Sequence, residues 1–251
     1  MTQMLTIIPV TGIPDIKKGD DLGKLITDRF ERQGEKLEQG DIAVIAQKIV
    51  SKSEGRLVSL SGITPSEFAK TIARETRKGP RQVEVILQES RKIIRMRGGN
   101  LITETKHGFI CANSGVDLSN VGKGDSASLL PKDSDASADR IRKTIHHLTG
   151  KTVPVIITDT FGRAWRMGHV NFAIGVSGMK PIRDYRGTKD MFRRTLRVTE
   201  MAVADELAGA AELVMNKADR VPAAIVRGYK VPRGQGRVKD LLRPEEFDLF
   251  R

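Results

Sequence analysis

VPVIITDTFGR, residues 153–163, decides the reading of this chain. The segment is the most hydrophobic strand in the sequence, and it turns polar at Thr158, Asp159 and Thr160. A continuous apolar run of this length, rich in Val and Ile, is the pattern of a buried strand. Its polar end would leave the core carrying a carboxylate beside hydroxyls. Three other runs read the same way: LTIIPVTGIP (5–14), ended by Pro9, Gly12 and Pro14; IAVIA (42–46); and PAAIVRGY (222–229). HGFICA (107–112) is a further strand, and it opens into the polar loop NSGVDLSN (113–120).

Helical patterns lie between these strands. Leu22, Leu25, Ile26 and Phe30 are spaced for one helix face behind acidic Asp20 and Asp21. Thr64-Pro65-Ser66-Glu67 supplies a cap, a proline at the first helical position and an acid in the first turn, with helical character through much of 65–96. DSDASADRIRKTIHHLTG (133–150) is a capped helix closed by Gly150, and 198–216 is a strongly apolar helix. Residues 161–197 are dense in Gly, Arg and Lys and show no long period. Strands and helices are mixed, which gives an α/β (α+β mixed) class. No internal repeat or low-complexity linker divides the chain.

At 251 residues the chain is long enough to bury a genuine core as one unit, with two closely packed subdomains as the alternative. No apolar run approaches the roughly 20 residues that span a bilayer, the N-terminus lacks a secretory pattern, and the single Cys111 excludes an internal disulfide. A cytoplasmic protein without membrane contact is expected. The net charge of +12 would suit a polyanion, but the basic residues are spread along the chain and aromatics make up only 4%. A basic nucleic-acid-binding module is therefore the alternative function. An acidic substrate with a nucleoside triphosphate is the simpler demand for positive charge.

Asp117 and Asp159 each stand just past a buried strand, among Gly, Asn, Ser or Thr neighbours. Loops leaving strand ends are where ligands are commonly held. Magnesium takes one or two carboxylates and completes its shell with water and phosphate oxygens, so the two aspartates with Thr160 would suit a cation that bridges a triphosphate. Aspartates in loops also cap turns, and that reading stays open. Arg163 and Arg166 follow at once and could neutralise a transferring phosphoryl group. The turn Pro9-Val10-Thr11-Gly12 could bring backbone close to a nucleotide, and Lys48 and Lys52, four residues apart, could reach phosphate. Trp165, the only tryptophan, is expected in the core; Cys111 is expected to be inert packing, and the four histidines show no metal spacing.

The stretches IIPVTGIPDIKKGDDL, VIAQKIVSKSEGR, NSGVDLSNV, LTGKTVPVIITDTFGRAWRMGHVNFAIGVSGMKPIRDYRG, VADELAGAAELVM and VPAAIVRG resemble the coenzyme F420-0:L-glutamate ligase (gamma-glutamyl ligase) family. The resemblance runs from residue 7 to about residue 228. It implies a mixed-sheet fold without a P-loop, a homodimer, Mg2+ or Mn2+, and GTP as co-substrate. It also implies amide formation between a deazaflavin precursor and L-glutamate, a related ligase using another amino acid being a further alternative, with no fused C-terminal flavin domain expected. By position, Asp117, Asp159 and Thr160 resemble metal ligands. Asn120, Lys52 and the backbone of Pro9 to Gly12 resemble nucleotide contacts, as does the loop Met215, Asn216, Lys217, Ala218, Asp219, Arg220 and Val221. That loop lacks the glycine- and acid-rich character of some relatives. Position 193 carries Arg where the resemblance leads one to expect Gly.

Overall fold

The computed structural model describes residues 4–118 and 125–249. The chain opens with β1 (Thr6–Pro9), α1 (Leu22–Arg32), β2 (Ile42–Ala46) and α2 (Gln47–Ser53). It continues through β3 (Leu57–Ser59), α3 (Glu67–Thr76), α4 (Pro80–Gln88), β4 (Ser90–Arg97), β5 (Asn100–Thr105), β6 (Ile110–Ala112) and β7 (Ser126–Ser128). α5 (Ser134–Thr149), β8 (Val155–Arg163), β9 (Arg166–Ser177), β10 (Arg183–Asp184), β11 (Glu200–Met201), α6 (Val203–Met215) and β12 (Ala223–Arg227) complete it. The fold is α/β with mixed sheets, as the strand and helix patterns imply.

The main sheet has the order β1-β12-β2-β8-β9. β2 and β8 are parallel, with Ala43 opposite Val155 and Ile45 opposite Ile157, and every other pair in this sheet is antiparallel. Alternation along the strands splits the apolar residues between two faces. Ala43, Ile45, Val155 and Ile157 join one core with Ile26 and Phe30 of α1, Ile49 and Val50 of α2, and Ile141 and Ile145 of α5. Ile42, Val44, Ile156, Ala224 and Val226 face Val203, Leu207, Ala208 and Ala211 of α6. Both faces are covered, which is why the central strands read as unbroken apolar runs. A third core gathers α3 and α4 residues such as Ile72 and Ile86 with Leu60, Leu101 and Leu129, beside the sheet β4-β5-β6. No helix among the described residues is long and apolar enough to cross a membrane.

Helix starts follow their caps. Asp21 accepts from Lys24 N, and Asp133 from Ala136 N. Ser66, not Thr64, caps α3 by accepting from Ala69 N, so Pro65 lies outside the helix. The helical reading of 65–96 fails at its end. Ser90–Arg97 is a strand, paired with β5 through Gly98 and Gly99, whose φ of 57° and 81° build a tight hairpin turn. The stretch 161–197 also hides the longest strand, the 12-residue β9. Glycines and polar residues blur its period, because only its second half enters the core. Trp165 is not core: it stands 85% exposed at the tip of the β8–β9 ribbon.

Arg193 occupies the left-handed backbone region (φ 62°) in a turn where Asp190 Oδ1 accepts from the N–H groups of Phe192 and Arg194. The backbone there demands what glycine supplies freely. Arg193→Gly is expected to raise stability by about 0.5–1 kcal/mol, or roughly 2 °C in melting temperature; an unchanged or lower midpoint would show that the turn carries no strain.

Candidate active site

β1, β2 and β8 run in one direction, since β1 and β2 are both antiparallel to β12 and β2 is parallel to β8. The chain therefore leaves all three strands at one edge of the sheet. Pro9–Gly12 emerges there from β1, Lys48 and Lys52 from β2 through α2, and Asp159 and Thr160 lie at the polar end of β8. β12 runs the opposite way, so the segment feeding it, Met215–Val221, comes to the same edge. Residues far apart in sequence thus converge through strand direction alone.

Asp159 and Thr160 are neighbours on β8 and point to opposite faces. On the face shared with α2, Lys48 Nζ binds Asp117 Oδ2 at 2.6 Å. Asp117 is held by a two-bond bridge to Ser128, its N–H donating to Ser128 O (3.1 Å) and its carbonyl accepting from Ser128 N (2.8 Å). Ser51 of α2 donates to Leu129 O (2.6 Å), which ties α2 to the same strand end. Asp159 lies within electrostatic reach of this pair. Burial pushes its carboxyl up to about 6, the nearby negative charge of Asp117 adds to the rise, and the Thr160 N–H and the ammonium groups of Lys217 and Lys48 oppose it. Cys111 adjoins Asp159, and burial together with that negative charge pushes its thiol up to about 12. It is inert packing at neutral pH, as expected.

On the other face Thr160 Oγ1 donates to Asn171 Oδ1 (2.6 Å) across the β8–β9 pair, and Asn171 Nδ2 donates to Glu212 Oε2 (2.9 Å) on α6. Lys217 Nζ donates to Thr160 Oγ1 and lies 3.9 Å from Glu212 Oε1. These four side chains close a ring. Asn171 and Glu212 went unnoticed in the sequence, because Asn171 falls in the stretch with no readable period and Glu212 looks like an ordinary exposed acid on an apolar helix.

The family model described as F420-0:Gamma-glutamyl ligase matches residues 11–228. The chain belongs to that family. A protein of Methanothermobacter thermautotrophicus named coenzyme F420:L-glutamate ligase is 50% identical over 250 residues, covering 98% of this chain and 99% of the relative. Proteins of the same name from Methanocaldococcus jannaschii and Archaeoglobus fulgidus are 51% and 44% identical, covering 86% and 98% of this chain and 86% and 96% of the relatives.

The remaining positions singled out for this gamma-glutamyl ligase fold fall in several places. Arg163 and Arg166 face each other at the ribbon tip, and Arg163 is four strand residues beyond Asp159, a rise of roughly 13 Å. Arg163 Nη1 donates to Gly168 O (3.4 Å) inside the ribbon. Val10 N donates to Ala223 O, and Thr11 N donates to Gln33 Oε1 (3.1 Å), so these two backbone donors are committed inside the protein. Lys52 lies one turn beyond Lys48 on α2. Met215 is buried under the sheet, Asn216 Nδ2 donates to Asp219 Oδ2 (2.9 Å), Arg220 takes a left-handed φ of 57°, and Val221 packs against the α6 core. Ala218 is exposed. Asn120 lies outside the described residues.

Among the described residues no group of three His, Cys, Asp or Glu side chains is gathered to hold a metal. The Asp117 and Asp159 carboxylates are nonetheless a hard-oxygen pair of the kind that fits magnesium or manganese, and on the other face of β8 the Thr160 hydroxyl with Glu212 is a second hard-oxygen set. The protonated Cys111 thiol offers no competing soft ligand.

The raised Asp159 carboxyl has a consequence for stability. Its folded value, about 6, lies above its ordinary 3.8, so across that window the native state binds more protons than the unfolded chain. Stability therefore falls as pH rises from about 4 to about 6, and the cost is complete above that. Metal-free Asp159→Asn is expected to melt a few degrees above wild type at pH 7.5, roughly 1–2 kcal/mol after allowing for partial exposure, with the gap narrowing toward pH 5. Equal midpoints at pH 7.5 would contradict the burial assigned to this carboxyl.

Proposed function

We propose that this chain is a GTP-dependent ligase that joins L-glutamate to the lactyl-phosphodiester deazaflavin precursor of coenzyme F420. It would then extend a gamma-linked glutamate tail, releasing GDP and phosphate. Family membership and the names of the relatives support the ligase chemistry. The observation that carries the reading is the convergence of Asp117, Asp159, Lys48 and Lys217 at one sheet edge, where each lysine and Asp117 act electrostatically on Asp159.

A carboxylate resists attack by an amine until one of its oxygens becomes a leaving group. In the proposed reaction a substrate carboxylate oxygen attacks the γ-phosphorus of GTP, GDP departs, and an acyl phosphate forms. The glutamate amine then attacks the acyl carbon, phosphate leaves, and the amine loses a proton. Mg2+ or Mn2+, held by Asp117 and Asp159 with Thr160 nearby, would neutralise charge on the phosphate oxygens. Lys48 and Lys52 would position the triphosphate from α2. The Pro9–Gly12 turn would accept the nucleotide against its backbone, with Gln33 yielding Thr11 N. The loop from Met215 to Val221 would close over the nucleotide, and Asn120 is assigned a nucleotide contact. Positioning and electrostatics do most of the work in such phosphoryl transfers.

The same reading includes a homodimer. Trp165 (85% exposed) and Met167 (94% exposed) at the ribbon tip support it, since large apolar side chains clustered in the open mark interaction surfaces. Arg163 and Arg166, carried to the ribbon tip beyond Asp159, would then serve a phosphoryl group across the dimer. The chain is taken as one unit, with the α3–α4 region as a closely associated subdomain whose sheet meets the main sheet where β6 adjoins β8; the separate third core supports that division.

Asp117→Ala and Asp159→Ala are each expected to cut metal-dependent GDP release at least about 100-fold while the proteins stay folded. Wild-type rates in both would remove the carboxylates from the reaction. Product masses after incubation with precursor, magnesium, single amino acids and either GTP or ATP test the substrate assignment. A glutamate adduct formed only with GTP is expected, and an adduct of another amino acid would redirect it.

A further inference from the structure

The Thr160 side of the site already holds a positive charge. Lys217 follows α6, donates its ammonium to Thr160 Oγ1 and faces Glu212 Oε1 at 3.9 Å. The seat is constructed rather than incidental: Asn171, 4% exposed, accepts from Thr160 and donates to Glu212, so hydroxyl and carboxylate are both turned toward the ammonium. With the Thr160 proton directed at Asn171, Lys217 takes a lone pair of the hydroxyl oxygen that a cation would need.

Lys48 plays the corresponding part on the opposite face of β8, where it binds Asp117. The two lysines differ in freedom. Lys48 is 22% exposed on a helix, whereas Lys217 is 64% exposed and hangs from a loop with left-handed backbone at Asn216 and Arg220.

We propose that Lys217 is a tethered cation that occupies the Thr160–Glu212 seat in the nucleotide-free protein, competes there with a divalent cation, and passes to the phosphates when metal and nucleotide enter. This rests on reading Asp159 and Thr160 as cation ligands. Positive charge in the site is then exchanged rather than created on binding. The uncompensated seat, the Glu212 carboxylate and the Thr160 hydroxyl with no cation, is avoided throughout. Lys217 is a positioning residue for metal and nucleotide.

Manganese binding to the full chain, followed by electron paramagnetic resonance of free Mn2+ without nucleotide at fixed ionic strength, tests this. Lys217→Met is expected to bind Mn2+ roughly tenfold more tightly than wild type, because a nearby competing cation is gone. Lys217→Arg, which keeps the charge, is expected to stay near wild type. With Mn2+ saturating, Lys217→Met is expected to bind GTP roughly tenfold more weakly, since a phosphate partner is lost. These opposite signs separate the exchange from a merely structural role, which would move both affinities the same way. Unchanged or weaker Mn2+ binding by Lys217→Met overturns the exchange. Wild-type protein that takes up no Mn2+ even with GTP present defeats the underlying metal reading instead.

Discussion

Asp159 loses hydration at a buried strand end, the negative charge of Asp117 adds to that cost, and the site's architecture follows from the constraint. Asp159 bears most of the penalty, as its raised carboxyl shows. The protein offsets the penalty with fixed dipoles and tethered ammonium groups: the Thr160 N–H, Lys48 on Asp117, and Lys217 on Thr160. On the proposed reading, a divalent cation would relieve the same burial cost more completely. Storing unfavourable electrostatics where binding will relieve them is a common property of functional sites.

The fold supplies the geometry with ordinary means. Parallel pairing of β2 and β8, with helices on both faces, carries α2 and the end of β8 to one edge. Alternation on β8 then divides the edge into two faces. Asp159 lies within electrostatic reach of Asp117 and Lys48 on one, and Thr160 meets Asn171 and Lys217, both tied to Glu212, on the other. A register shift between Ile157 and Thr158 inserts Ile174 into β9 as a bulge just before the polar end, the kind of irregularity that re-aims side chains beside functional sites. Gly175, within that bulge, lets α5 approach: a Cβ there would lie 2.5 Å from Ser134 O.

The buried strands were legible because nothing but burial on both faces explains runs such as IAVIA and VPVII. Asp117, Asp159 and the lysines stood out through their places after those strands. The strand Ser90–Arg97 and the ribbon β9 were hidden, the first because its charged residues carry no clean alternation and its hairpin rests on Gly98 and Gly99, the second because half of it leaves the core. Trp165 misled for a related reason. Its size argues for burial, but a ribbon tip places it in the open. The Asn171–Glu212 ring could not be read, since its members belong to elements that meet only in the folded chain. Family resemblance pointed to the loop from Met215 to Val221, and the structure adds the contacts of Lys217 with Thr160 and Glu212.

Anomalous diffraction from crystals grown with Mn2+ and a non-hydrolysable GTP analogue addresses the central claim directly. A manganese peak about 2.1–2.3 Å from carboxylate oxygens of both Asp117 and Asp159, with the analogue's phosphates completing its shell, is the expected result. A peak elsewhere, or a nucleotide seated away from this edge with the Lys48–Asp117 pair intact, would contradict it.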